Sequence, residues 1–349
     1  MYSGRREIGS GAASGGLPPG RAKTSGQLRL LLSRYFKCKV RDRGGIIIML
    51  AQAPIIGILL WGVFGGQDEA VPAWCLGALQ QLSSKGGKGG PVETTGAVLN
   101  DMSATTDHTA AIFFLVVSAI WFGTSNAARE IVSERAIYLR ERMVNLGLFN
   151  YVASKYILLA MFCVVQCSML LGIVFFGLKF PGGMPAFGQM LAALVGTALV
   201  AVALGLLLST SVTSSEAAMA LTPIALIPQV VLGGFVVPIT SVPHLKYVFY
   251  GVPARWGFEA AVVPNRNELV NDKSWSIDLH QPDPTSASGD FIEEGYFKCA
   301  TAQMAGEDFK GSWGFYTYEQ PVVPYAVLGG YMLALLIVLT VVLKRRDPV

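Results

Sequence analysis

Seven charged side chains fall within residues 126–146, NAAREIVSERAIYLRERMVNL: Arg129, Glu130, Glu134, Arg135, Arg140, Glu141 and Arg142. Covalent chemistry has nothing comparable to work with elsewhere in the chain. Cys38, Cys75, Cys163, Cys167 and Cys299 show no metal-type spacing, and His108, His244 and His280 are scattered, so no metal site and no nucleophile with a base partner can be assembled. A GGKGG stretch around Lys88 lacks the GK[ST] ending of a phosphate-binding loop. What the 126–146 segment can do is pair charge. On a 3.6-residue helix Val132, Ala136, Leu139, Met143 and Leu146 form one apolar stripe, and the charges crowd the remaining surface. One face suits a membrane or a helix bundle. The other, with Glu134, Arg135, Arg140 and Glu141 of both signs, suits water or a partner.

The elements on either side of this segment are apolar. Hydrophobic residues make up 52% of the chain and charged ones only 14%, against roughly a quarter charged in soluble domains. The chain therefore reads as an all-α polytopic membrane protein. Its net charge of +4 is small, the basic residues gather near span ends, and nucleic acid is not needed to explain them. Six uncharged or nearly uncharged runs are long enough to cross about 30 Å of hydrocarbon: 44–64, 108–128, 151–178, 186–208, 217–239 and 321–343. Pro54 falls inside the first run. The fifth contains Pro223 and Pro228 and ends in GGFVVP, so its far end is not expected to be regular helix.

Between and around the runs the composition changes. Residues 1–26, rich in Gly, Ser, Pro and Arg without an apolar stretch, read as a flexible linker. Over 27–43, Leu28, Leu31, Leu32, Tyr35 and Phe36 follow helical spacing opposite Arg29, Arg34, Lys37 and Arg41, the pattern of a basic amphipathic helix at a membrane interface. Residues 244–263, broken by Gly251, Pro253, Arg255 and Glu259, suit a short re-entrant or interfacial element; 264–320 reads as a small external loop domain. Basic residues near the span ends place the N-terminus, the 126–146 segment and the tail at 344–349 on the cytoplasmic side, and loops 65–107 and 264–320 outside. None of the external loops has an Asn-x-Ser/Thr sequon, which favours a bacterial inner membrane.

Asn126, the Glu134-Arg135 pair and the Arg140-Glu141-Arg142 triplet after a membrane run resemble the coupling segment that follows the second helix in the G subfamily (White and pleiotropic drug resistance type) of ABC exporters. The resemblance extends to RDR before the first span, GGF at the end of the fifth, and PARWGFEAA before the large loop, and so to the six-helix membrane domain over 27–343. It implies a permease that moves a hydrophobic or amphipathic substrate by alternating access, with ATP and Mg bound on a partner ABC ATPase and no cofactor on this chain. It also implies pairing with a second copy, as a homodimer, or with a close homologue. In such a pair the coupling residues are Glu134, Arg135, Arg140 and Glu141, and Glu134 is expected to meet Arg34 or Lys37. The substrate path is lined by Phe122, Ile227, Val230, Phe235 and Val236. Neither a GxxxxGK[ST] loop nor an LSGGQ-like signature occurs in these residues, so the ATPase is expected on a separate polypeptide or on another part of a longer one. Cys75 and Cys299 both fall on the external side, where a disulfide between them and two free thiols are equally open.

The distribution of charge supports the same direction independently. Ion-coupled carriers place acids, His or Arg at bilayer depth. Here the span cores hold no Asp, Glu, Arg or Lys except Lys155, which is near the cytoplasmic end of the third and can snorkel. Work would have to arrive from outside the membrane. The competing classes are an ion-coupled transporter or channel, and an integral membrane enzyme.

Overall fold

A computed structural model describes residues 24–65, 96–143, 146–178, 180, 183–236, 244, 246–262, 276–282, 291–298 and 322–346. Residues 1–23 of the linker expected at 1–26, most of the two large loops, and both Cys75 and Cys299 lie outside the described residues; the linker's last three residues, from Thr24, already belong to the first helix.

Helix α1 (Thr24–Arg41) turns directly into α2 (Arg43–Phe64). The corner is made by Asp42, whose side chain accepts a hydrogen bond from the Gly45 amide at 3.1 Å and so satisfies one of the unpaired donors at the start of α2. α1 is amphipathic as expected: Leu31 and Tyr35 are buried, with α1 packed against α5 (Leu148–Gly177). α2 contributes a narrow face of Met49, Ala53, Gly57 and Leu60 to the bundle, and at Gly57 the Ile173 side chain comes so close that a Cβ would sit 3.2 Å from it. Its opposite face, with Ile47, Ile48, Ile55, Ile58 and Leu59, is exposed.

α3 (Gly96–Ala127) and α6 (Gly183–Ser211) form the tightest pair. Lipid is as apolar as a bundle interior, so helices in a bilayer associate through close van der Waals contact, and small residues permit it. A Cβ on Gly123 would lie 2.4 Å from the Ala198 carbonyl oxygen, and one on Gly205 would lie 2.7 Å from the Ala127 Cβ. α5 runs beside both, its Tyr156 hydroxyl donating to the Leu199 carbonyl of α6. α10 (Val322–Arg346) closes the other side of α6. Its Tyr325 hydroxyl donates to the Gln189 carbonyl at one end, and Arg346 donates to the Thr210 and Ser211 carbonyls at the other.

Five of these helices are long and apolar enough to span a bilayer, and α7 (Ser215–Val231) is a shorter apolar helix of 17 residues. At 1.5 Å per residue α7 reaches about 26 Å. The expected fifth span is therefore curtailed beyond Val231, where the chain turns through Gly233 and Gly234; Gly234 has φ +96°, a conformation that side-chain-bearing residues rarely adopt. The chain is accordingly a multi-pass membrane protein. Two short helices follow, α8 (Lys246–Tyr250) and α9 (Pro253–Val262). α9 is about 15 Å long, half a bilayer core, and is buried from Ala254 to Val262 against α3, α6, α7 and α10. Within the large loop an antiparallel ribbon pairs β1 (Ser276–Pro282) with β2 (Phe291–Lys298), and the membrane bundle itself is helical.

One departure from expectation concerns 126–146. The expected continuous helix does not form: α3 stops at Ala127, a turn carries the chain to a 3-10 segment at Val132–Glu134, and α4 (Arg135–Met143) starts afresh. The break is held from outside, because the Ser209 hydroxyl at the end of α6 accepts from both the Ile131 and Val132 amides at 3.0 Å. The expected stripe is split as a result. Val132 and Leu146 are buried, but Ala136 and Met143 are exposed, and Tyr138 takes the buried position on α4.

Candidate functional site

The ends of several helices meet on one face of the bundle: α1, the α3–α4 turn, the start of α5, the end of α6 and, through Arg346, the end of α10. Six charges converge there. Lys155, two turns into α5, is fully buried; its ammonium donates to Glu130 at 2.9 Å and to Glu134 at 2.6 Å, and sits 3.7 Å from the centre of the Tyr35 ring. The other oxygen of Glu130 accepts from Lys39 of α1 at 3.0 Å. A continuous chain of opposite charges, Lys39–Glu130–Lys155–Glu134, thus ties α1 and the α3–α4 turn to α5.

Beside it, the Arg34 guanidinium engages both oxygens of Glu141 on α4, Nη2 at 3.1 Å from Oε2, and also donates to the Tyr35 hydroxyl at 3.3 Å. The hydrogen bonds to Glu141 raise the Arg34 pKa. Burial, then the Glu134 charge, push the Tyr35 phenol up to about 12, so a neutral ring faces the Lys155 ammonium. Three cations against three carboxylates leave the cluster balanced, as burial requires. Polar bonds extend it: Gln27 of α1 accepts from the Gly147 amide and the Asn150 side chain, and the Tyr138 and Tyr151 rings pack 4.6 Å apart.

Glu134 therefore does not meet Arg34 or Lys37, the partners expected for it on α1. Lys155 takes it, because the 3-10 turn directs Glu134 towards α5; Arg34 goes to Glu141, and Lys37 is exposed. Arg140 is exposed and lines, with Gln27, Leu30, Leu31, Arg34, Ile137, Glu141 and Leu146, a groove of about 570 Å³ between α1 and α4. Arg135 is half-buried at the head of α4. Glu130, Lys39 and Lys155 were not among the coupling residues expected from the sequence. Glu130 and Glu134 stand four apart, the spacing at which two carboxylates can reach one cation, and Lys155 was the lone charge in an apolar run; those were the available signals.

The residues expected along a path separate in space. Phe122 is fully buried inside this chain. Phe235 stacks on Phe113 with ring centres 5.2 Å apart and meets Phe258 edge-on, while Val230 packs partly buried against the same core. Ile227 and Val236, 59% and 56% exposed, face out from α7 and its end. Asn126 donates to Gln166 at 2.8 Å, and the Gln166 amide donates to the Met49 carbonyl, linking α3, α5 and α2.

A second buried pair lies on α9. Arg255 and Glu259, one helical turn apart and both fully enclosed, meet at 2.6 Å, and the guanidinium rests over the Tyr250 and Trp256 rings. Gln229 of α7 accepts from the Ala254 amide at 3.0 Å, capping α9. Both charges were visible in PARWGFEAA, but not their burial.

Among the described residues, the cluster ties α1, the α3–α4 turn and α5 together through ion pairs. The ABC-2 type transporter family profile matches residues 26–264, from the first turn of α1 to just past α9, and so takes in both clusters. The chain is also 33% identical over 168 residues, 46% of its length, to the ABC transporter ATP-binding/permease protein Rv1747 of Mycobacterium tuberculosis. That stretch spans 19% of the relative. A match over well more than half of the chain, on a bundle of apolar helices, shows that the chain belongs to the ABC-2 type transporter family, as a membrane component of an ABC transporter.

Proposed function

We propose that this chain is the permease of an ATP-driven exporter of the G-subfamily type, moving a hydrophobic or amphipathic substrate by alternating access. ATP and Mg bind on a partner ABC ATPase, and two copies of the permease, or one and a close homologue, enclose the path. The observation that carries the reading is the buried cluster centred on Lys155. It joins α1, the α3–α4 turn and α5 at one face, so a push on α4 is transmitted to several helices at once. The excess of basic residues supports a cytoplasmic orientation for that face, where an ATPase would dock. The name of the mycobacterial relative, an ATP-binding/permease protein, supports the pairing. α9 is then a re-entrant element from the outer side, and Ile227, Val230, Phe235 and Val236 line the path and its exit between two copies, while Phe122 is enclosed within each copy.

The test is Glu134→Arg in the permease reconstituted with its cognate ATPase in proteoliposomes. Transport is expected to be abolished and ATP hydrolysis uncoupled, while membrane insertion and dimerisation persist. Full transport at normal abundance would overturn the coupling role.

One observation favours a second reading, ion-coupled transport: Arg255 and Glu259 are charges enclosed deep in the bundle. Transport by the ATPase-free chain, driven by a proton or sodium gradient and lost in Glu259→Gln, would establish it.

A further inference from the structure

The basic residues of α1 divide into two sets that the sequence does not separate. Arg34 and Lys39 face inward and are bound to Glu141 and Glu130. Arg29, Lys37 and Arg41, joined by Arg43 at the start of α2, are exposed and make no ion pair among the described residues. At 100° per residue, Arg29, Lys37 and Arg41 lie on the side of α1 opposite buried Leu31 and Tyr35, interleaved with Phe36 and Val40. Phe36 and Val40 are 42% and 45% exposed. The one acid at the corner, Asp42, is engaged by the Gly45 amide.

A cationic face studded with exposed apolar side chains is unsuited to water alone. It also does not stop at the corner: beyond Asp42 the exposed apolar surface continues along the outer face of α2 through Ile47, Ile48 and Ile55, a helix long and apolar enough to span the bilayer. The leaflet that surrounds α2 therefore meets the outer face of α1. Phe36 and Val40 then enter the acyl boundary, and the four cations stand at headgroup level.

We propose that this outer face is a binding site for anionic phospholipid, with Arg29, Lys37, Arg41 and Arg43 holding the headgroup phosphates. The occupant is the leaflet, because the apolar residues between the cations would have no role with a free phosphate ion. Since the inner face of the same helix carries Arg34 and Lys39, bound lipid fixes the element against which Glu130 and Glu141 are paired.

The full chain is reconstituted in phosphatidylcholine vesicles containing a minority of phosphatidylglycerol, and the association of spin-labelled phosphatidylglycerol is compared with that of spin-labelled phosphatidylcholine. Several-fold selectivity for the anionic lipid is expected, falling as salt is raised, nearly lost in R29Q/K37Q/R41Q/R43Q and retained in R29K/R41K/R43K. Because the quadruple variant removes four charges, Lys37→Gln and Arg41→Gln are measured singly; each should lower the selectivity in part. Equal association of the two lipids by the wild-type chain overturns the site, as does selectivity that persists in the quadruple variant. Displacement of phosphatidylglycerol by inorganic phosphate, beyond that caused by chloride of equal ionic strength, would make the face a free-anion site and overturn it too. The outcome is independent of the ATPase, so it separates from the transport reading.

Discussion

Lys155 and Glu134 meet at 2.6 Å across the joint between α5 and the α3–α4 turn, and the lysine is fully enclosed while its partner is about one-third exposed. The asymmetry has a consequence: the ammonium depends on Glu130 and Glu134 for its charge balance, but Glu134 retains some contact with solvent. Lys155→Ala, which leaves two carboxylates facing one another, is expected to destabilise the chain by about 3 to 5 kcal/mol, the usual penalty for breaking a buried charge group. Lys155→Met combined with Glu130→Gln and Glu134→Gln should recover most of that stability, as followed by thermal unfolding in detergent. It should not recover transport.

Arg34 and Glu141 form the more solvent-accessible link between α1 and α4. Arg34→Glu and Glu141→Arg, each alone, are expected to lower stability by up to about 1 kcal/mol, in line with partly exposed pairs, but to reduce coupled ATP hydrolysis strongly. The double swap should restore coupling well beyond the sum of the single effects. A double-mutant cycle on ATPase coupling checks this.

Gly123 and Gly205 set the distance between α3 and α6. Gly123→Ala would place a methyl against a backbone carbonyl that cannot move without shifting the helix, and a loss of about 3 kcal/mol or more is expected. Gly172→Ala on α5, where nothing lies within 4 Å, is the control and should be silent. Fluorescence-detected size-exclusion after a heat step distinguishes the two.

The proposed path residues should separate by phenotype. Phe122→Ala opens a cavity in the interior and is expected to cost about 3 to 5 kcal/mol of stability. Ile227→Ala, on an exposed face, should leave stability within about 0.5 kcal/mol and alter export or substrate-stimulated ATP hydrolysis. Unchanged transport in Ile227→Ala and Val236→Ala would remove α7 from the path.

Thiol labelling reads the topology. In a Cys75→Ser/Cys299→Ser background, exposed Cys38 should react with a membrane-impermeant maleimide only from the cytoplasmic side of vesicles, and buried Cys163 and Cys167 only after unfolding. Labelling of Cys38 from outside whole cells would invert the proposed orientation.

The positions of the long spans, the basic amphipathic α1 and the charged character of 126–146 were determined by sequence, because each depends on a local property: length of uncharged chain, helical periodicity, or charge density. Pro223, Pro228 and the paired glycines likewise announced the early end of α7. Only the tertiary structure decided which face of each span is inside. The bilayer and the bundle interior are equally apolar, so a spanning helix carries little amphipathic signal, and the buried side of α2 is marked only by the small residues Ala53 and Gly57. The same holds for the charges. Arg34, Lys37 and Lys39 are equivalent on paper, and a rotation of 100° per residue, fixed by Leu31 and Tyr35 packing on α5, sends one to Glu141, one to solvent and one to Glu130. The break after Ala127 was likewise beyond local reading, since the groups that hold it come from Ser209, more than seventy residues along the chain.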